Sequence, residues 1–218
     1  MTESRGSSPP PWLIGAGTLF LLATLTLVLS SVRRDPPPGH PISVLEPTSE
    51  PTSVTEERLV TIDARDPDRW TRLDLSRATI VGGSDLRGWD IAARRFRLVV
   101  NGGHGFAGQA GARRLLGRSF ESVSEAPANG YVGSLVTPGG DTVNAELDGW
   151  YRYGFFSHLL EPDDAVFAIR TADGRYAILE IVGYYCPGAE PGCLTLRYVY
   201  QGDGSRRVTQ STRTGVYR

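Results

Sequence analysis

The chain contains no lysine: all 23 of its basic residues are arginine, set against 24 acidic residues in 218 positions. This near-neutral balance excludes the electrostatic footprint of a nucleic-acid binder, and the arginine-only usage reads as a mark of a GC-rich genome rather than of function. Histidine, cysteine and methionine are also scarce, with three, two and one copies. No GxxxxGK[ST] phosphate cradle, nucleophile elbow or EF-hand spacing occurs, so phosphoryl transfer, hydrolase and calcium-loop readings have no motif to stand on. A 20-to-50-residue repeat and a βαβ rhythm are absent as well. What is abundant is glycine, at 26 residues, together with aromatic and β-branched side chains. That composition predicts one mostly β domain with many turns, a size that 218 residues permit together with appendages.

The amino end stands apart from that body. After a short flank at 1–11, the run Trp12–Leu29, WLIGAGTLFLLATLTLVL, carries no charge, and as a helix it would be about 27 Å long, just enough for a bilayer. Residues 12–32 are therefore assigned as a transmembrane anchor or signal segment. The apolar run exceeds the usual signal-peptide core, which favours an uncleaved anchor, although Val28 and Ser30 fit a cleavage site. Arg33 and Arg34 after the run would by the positive-inside rule place that flank in the cytoplasm. The cysteines argue the opposite. Cys186 and Cys193 enclose PGAEPG, a loop of turn formers between two strand-like runs, so a hairpin disulfide is expected and with it an extracytoplasmic domain. A zinc site would need two further ligands and closer spacing; a reduced, inert pair is the remaining alternative. Residues 33–57 are rich in proline, serine, threonine and glutamate and read as a disordered tether, with His40 a solvated residue within it.

The β domain is assigned to 58–218. RLVTIDA and RWTRLDLS interleave apolar and polar residues as half-buried strands do, and VGGSDLRG is a turn. Trp89–Val100 is read as one strand, with Asp90 anchoring a turn by its side chain rather than doing chemistry. It runs into NGGHG, a bend in which glycine allows positive φ and close backbone approach. LLEPDD reads as a helical turn or loop. AVFAIRT, RYAILEIVGYYC and CLTLRYVYQ form a three-stranded meander, joined first by Asp173-Gly174 and then by the cysteine loop.

The ordered series RWTRLDLS, GWDIAARRFRLVVNGG, GWYRYGFFSHLL and VFAIRTADGRYAILEIVGYY with LRYVY, spanning about Arg58 to Gln201, resembles the HmuY-like haem-binding proteins. That resemblance implies antiparallel β-sheets with a hairpin-like projection, export from the cytoplasm of a bacterium, and haem or a related porphyrin as ligand in iron acquisition, with a surface receptor or transporter as a possible partner. Separately, the lack of any catalytic motif predicts no enzymatic activity. This sequence departs from the family in having no cysteine after its apolar segment to carry a lipid. The family's axial ligands vary between histidine and methionine.

Chemistry narrows the haem donors. Iron accepts neutral imidazole nitrogen; the single methionine is Met1, ahead of the apolar run, and the CxxCH of covalent attachment is missing. His104 in NGGHG and His158 in GFFSHLL are the predicted iron ligands, with Phe106, Tyr153, Phe155 and Phe156 as ring-packing neighbours. A solvated His104, or a His158 that merely hydrogen-bonds a carbonyl, is the bland alternative. A structural or protein-interaction β domain without haem is the alternative for the whole chain.

Overall fold

The computed structural model describes residues 10–32, 36–45 and 56–208. Helix α1 spans Pro11–Val32. The β domain runs in the order β1 Glu57–Asp63, β2 Thr71–Asp74, β3 Thr79–Val81, β4 Ile91–Arg94, β5 Arg97–Val100, β6 Gly111–Leu115 and β7 Leu135–Val136. It continues with β8 Thr142–Val143, β9 Tyr151–Tyr153, β10 Leu160–Pro162, β11 Val166–Arg170, β12 Tyr176–Tyr185 and β13 Pro191–Gln201. The assigned flank 1–11 and the carboxyl end of the assigned domain lie mostly outside the described residues.

Two antiparallel sheets build the body, one ordered β1-β13-β12-β11-β6 and the other β3-β2-β4-β5. Alternation along the strands explains how they stack. Phe167, Ile169, Leu179, Leu196 and Tyr198 of the first sheet meet Leu73, Ile91, Leu98 and Val100 of the second in one buried core. The intervening Val166, Ala168, Ile178 and Val199 point to the other face, where Phe120, Val123 and Ala126 cover them. The first sheet is thus buried on both sides, which is why its sequence reads as nearly continuous apolar runs.

The meander β11-β12-β13 forms as its sequence predicts, and Gly174, at φ 87°, makes its first turn. Three local expectations change. The Trp89–Val100 run is a hairpin, folded at Arg95-Phe96 between β4 and β5. No turn-forming residue marks that fold; its geometry comes from tertiary partners, since Arg95 adopts φ 55° while its N–H donates to Ala64 O, and Phe96 O accepts the Trp150 indole at 2.7 Å. Leu160–Pro162, expected as a helical turn or loop, is strand β10 paired with β9, with its proline on a two-stranded ribbon where a missing donor is tolerated. Finally, residues 36–45 of the expected tether lie against the domain. Gly39 bridges Tyr185, the His40 N–H donates to Tyr185 O at 2.9 Å, and Ser43 exchanges two hydrogen bonds with Thr61 on the edge of β1. His40 is half-buried against Gly183 rather than solvated.

Both outer edges of the large sheet are blocked by this arrangement. On β1 the Ser43 contacts occupy Thr61; on β6 the Ala112 backbone pairs with Val132 and the Arg114 N–H donates to Glu146 Oε2. Covered edges suppress pairing with another chain.

Candidate functional site

Strands β9 and β10 form a short ribbon that projects from the core through a series of aromatic contacts. Phe96 meets Tyr151 at 5.7 Å between centroids, Tyr151 meets Trp150 at 5.2 Å, Trp150 meets Tyr184 at 5.8 Å and Tyr184 meets Tyr185 at 5.4 Å. The base is pinned twice more: Asp163 N–H donates to Trp150 O, and Leu160 N–H donates to the Tyr185 hydroxyl at 2.8 Å. Trp150 is fully buried, so its donated bond to Phe96 also ties the ribbon to the β4-β5 turn.

At the tip the chain turns over Gly154–Leu159, closed by Gly154 N–H to Leu159 O and by His158 N–H to Gly154 O. A side chain at Gly154 would put its Cβ 2.0 Å from Ser157 Oγ, so any larger residue there would displace the serine hydroxyl from the turn. His158 takes φ 54°, a left-handed conformation that histidine visits more readily than most residues. Its Nδ1 lies 2.5 Å from the Tyr153 hydroxyl. With Nδ1–H donating to the phenol oxygen, the Nε2 lone pair is left free to ligate a metal, the way a second partner fixes an imidazole tautomer in metal sites. Phe155 and Phe156 pack edge to face at 5.3 Å yet remain 75% and 66% exposed. Tyr153, His158 and the two phenylalanines thus present one donor and three rings on an open tip.

His104 and Phe106 sit elsewhere. They belong to the loop after β5, beyond the end opposite the Arg95-Phe96 turn beside which the ribbon is anchored. Asn101, fully buried, organises this loop: its side chain donates to Trp89 O at 2.9 Å and accepts Gly108 N–H at 3.2 Å. Close packing explains the glycines, since a Cβ at Gly102 would lie 1.9 Å from Ala110 O and one at Gly103 2.1 Å from Ser134 O. His104 is exposed, whereas Phe106 packs on Trp89 at 6.1 Å over the outer face of the small sheet. No contact among the described residues joins His104 to His158, and no group of three or more metal-binding side chains occurs among them. An open groove of about 920 Å³, lined by Trp70, Arg65, Asp66 and Ile80 among others, contains none of the predicted ligand residues.

Sequence reading missed Tyr185, whose carbonyl holds His40 and whose hydroxyl holds the ribbon, and Trp150. The aromatic pairs in GWYRY and VGYYC were the available signal. Cys186 and Cys193 are joined in the expected disulfide, with Cα atoms 4.9 Å apart, at the end of β12 next to Tyr185.

Asp90 anchors the two sheets to each other. Its carboxylate accepts Leu75 N–H at 2.9 Å after β2 and Ala172 N–H at 2.8 Å after β11. Burial pushes this carboxyl up to about 7, opposed by the two N–H donors and reinforced by the charges of Asp74 and Asp173.

Comparison with known proteins agrees with this architecture. No curated protein matches the chain. Among solved structures, the apo HmuY analogue TFO of Tannerella forsythia is 19% identical, with a TM-score of 0.55 covering 67% of this chain and 96% of that one. A protein from Bacteroides vulgatus described as an HmuY-like haem-binding protein is 22% identical, with a TM-score of 0.52 over 68% of this chain and 93% of its own. Apo PinO from Porphyromonas gingivitis is 14% identical at a TM-score of 0.53, covering 67% and 97%. At these identities the likeness is one of fold alone, that of the antiparallel β domain. Residues 66–198, well over half the sequence, match the family model described as HmuY protein, and the chain belongs to that family.

Proposed function

We propose that this chain is a membrane-held, extracytoplasmic protein that binds haem or a related porphyrin reversibly at the tip of the β9-β10 ribbon. The observation that carries the reading is the Tyr153-His158 pair: in a family with haem-binding members, an exposed imidazole is oriented by a phenol and flanked by two solvent-facing phenylalanine rings. Haem, when bound, supplies an iron that accepts imidazole nitrogen. Tyr153 holds the His158 ring, and Phe155 and Phe156 offer apolar surface to a flat macrocycle. His104, on the far side of the β4-β5 hairpin, stays outside this donor set. A single imidazole on an open tip suits capture and hand-over better than buried redox work, and no catalytic step is assigned. Placement outside the cytoplasm is supported by α1, whose Pro11–Leu29 stretch is apolar enough to cross a bilayer, and by the disulfide. A receptor or transporter that receives the haem completes the proposal.

The test is a haem titration of the full chain in lipid nanodiscs, read by the Soret band against protein-free discs. Saturable one-to-one binding that His158→Ala abolishes and His104→Ala leaves intact is expected. Loss of binding in His104→Ala would restore a two-histidine site, and no saturable binding by the folded wild type would leave a non-haem interaction domain.

A further inference from the structure

We infer that the β9-β10 tip is also a membrane-contact element, with Phe155 and Phe156 seated in the interface of the bilayer that α1 enters. This rests on the reading of α1 as a retained anchor. Docking of residues 36–45 changes the geometry of that anchor. A free tether over 33–57 would let the domain range as far as about 85 Å from the membrane, but with Gly39 fixed on Tyr185 only the seven residues from Arg33 to Gly39 separate the helix from the domain, at most about 25 Å. The end of the domain carrying Tyr185 is therefore held close to the bilayer.

The same Tyr185 carries the ribbon, because its hydroxyl accepts the Leu160 N–H while its carbonyl accepts the His40 N–H. Anchor strap and aromatic tip share one attachment point, and from Leu160 to Phe156 is four residues, about 14 Å at full extension. The composition of the tip matches an interface. Phe155 and Phe156 are 75% and 66% exposed and Tyr153 is 55% exposed, while Arg152 beside them is solvent-facing and available to lipid phosphate. Large apolar side chains grouped on a rigid turn are costly to leave in water. Seated in lipid, the tip would hold the His158 site where a hydrophobic porphyrin partitions, which makes the bilayer the source from which haem is taken or to which it is given.

A nitroxide scan tests this on the full chain in phosphatidylcholine vesicles. Both native cysteines are consumed by the disulfide, so Phe155→Cys, Phe156→Cys and, as an aqueous reference, Leu116→Cys each carry a unique thiol. Labels at 155 and 156 should collide more often with lipid-soluble oxygen than with an aqueous nickel chelate, the reverse of the ratio at 116. An aqueous ratio at both tip positions, or protection from both reagents, in protein that floats with the vesicles would overturn the inference. Failure to float overturns the anchor reading and the inference with it. Lipid contact in a protein that gives no Soret shift would support the inference while removing haem.

Discussion

Replacing Asp90 by asparagine should remove a pH dependence from the stability of the whole β domain. The carboxyl is fully enclosed and its pKa is raised from 3.8 to about 7. Between those values the folded protein binds a proton that the unfolded chain has released, so the contribution of Asp90 is fully present below about pH 4 and is lost as pH climbs to about 7. One pH unit is worth 1.36 kcal/mol at most, which bounds the loss at about 4 kcal/mol across the window. An amide shows no such slope. It brings its own deficit, because its NH2 cannot accept a hydrogen bond, so either Leu75 N–H or Ala172 N–H loses its partner, at about 1–3 kcal/mol. Asp90→Asn should therefore be clearly less stable than wild type at pH 4, with the gap narrowing or reversing by pH 8. Urea unfolding followed by tryptophan fluorescence at several pH values measures the difference, and subtracting the two proteins cancels the other titrating groups. Parallel stability curves for variant and wild type between pH 4 and 8 would refute the assignment of a raised pKa to Asp90.

Two further predictions concern the ribbon and its base. Tyr153→Phe removes the partner of His158 Nδ1 while keeping the ring, and haem affinity in the Soret titration should fall roughly 10- to 100-fold with the fold intact; unchanged affinity would show that the imidazole is oriented by something else. Replacing Cys186 and Cys193 together by serine opens an eight-residue ring, and the loss of loop-closure constraint should destabilise the domain by about 2.5 kcal/mol in the same unfolding assay.

The meander was legible in the sequence because everything that specifies it is local. Alternation along β11 to β13 and the turn chemistry of Asp173-Gly174 and PGAEPG act over a few residues, and β12 and β13 pair as those signals require. The β4-β5 turn was not legible. Arg95-Phe96 has no intrinsic preference for a turn, and Ala64 O and the Trp150 indole, 31 and 54 positions away, hold it there. The docked strap was misread for a related reason: a composition too polar to form a core of its own still finds backbone partners on an exposed strand edge and on Tyr185.

For the site, the sequence by itself determined the parts. It supplied an apolar helix, a β body, one disulfide, and a histidine among aromatic rings, because each depends on residue type and short-range pattern. Only the tertiary structure decided their arrangement. It placed His104 in the loop after β5 and His158 at the tip of the separate β9-β10 ribbon, turned His158 back onto Tyr153, and brought the strap and the ribbon together on Tyr185. These relations are distances between residues remote in the chain, and side-chain packing across two sheets sets them where periodicity along one strand cannot.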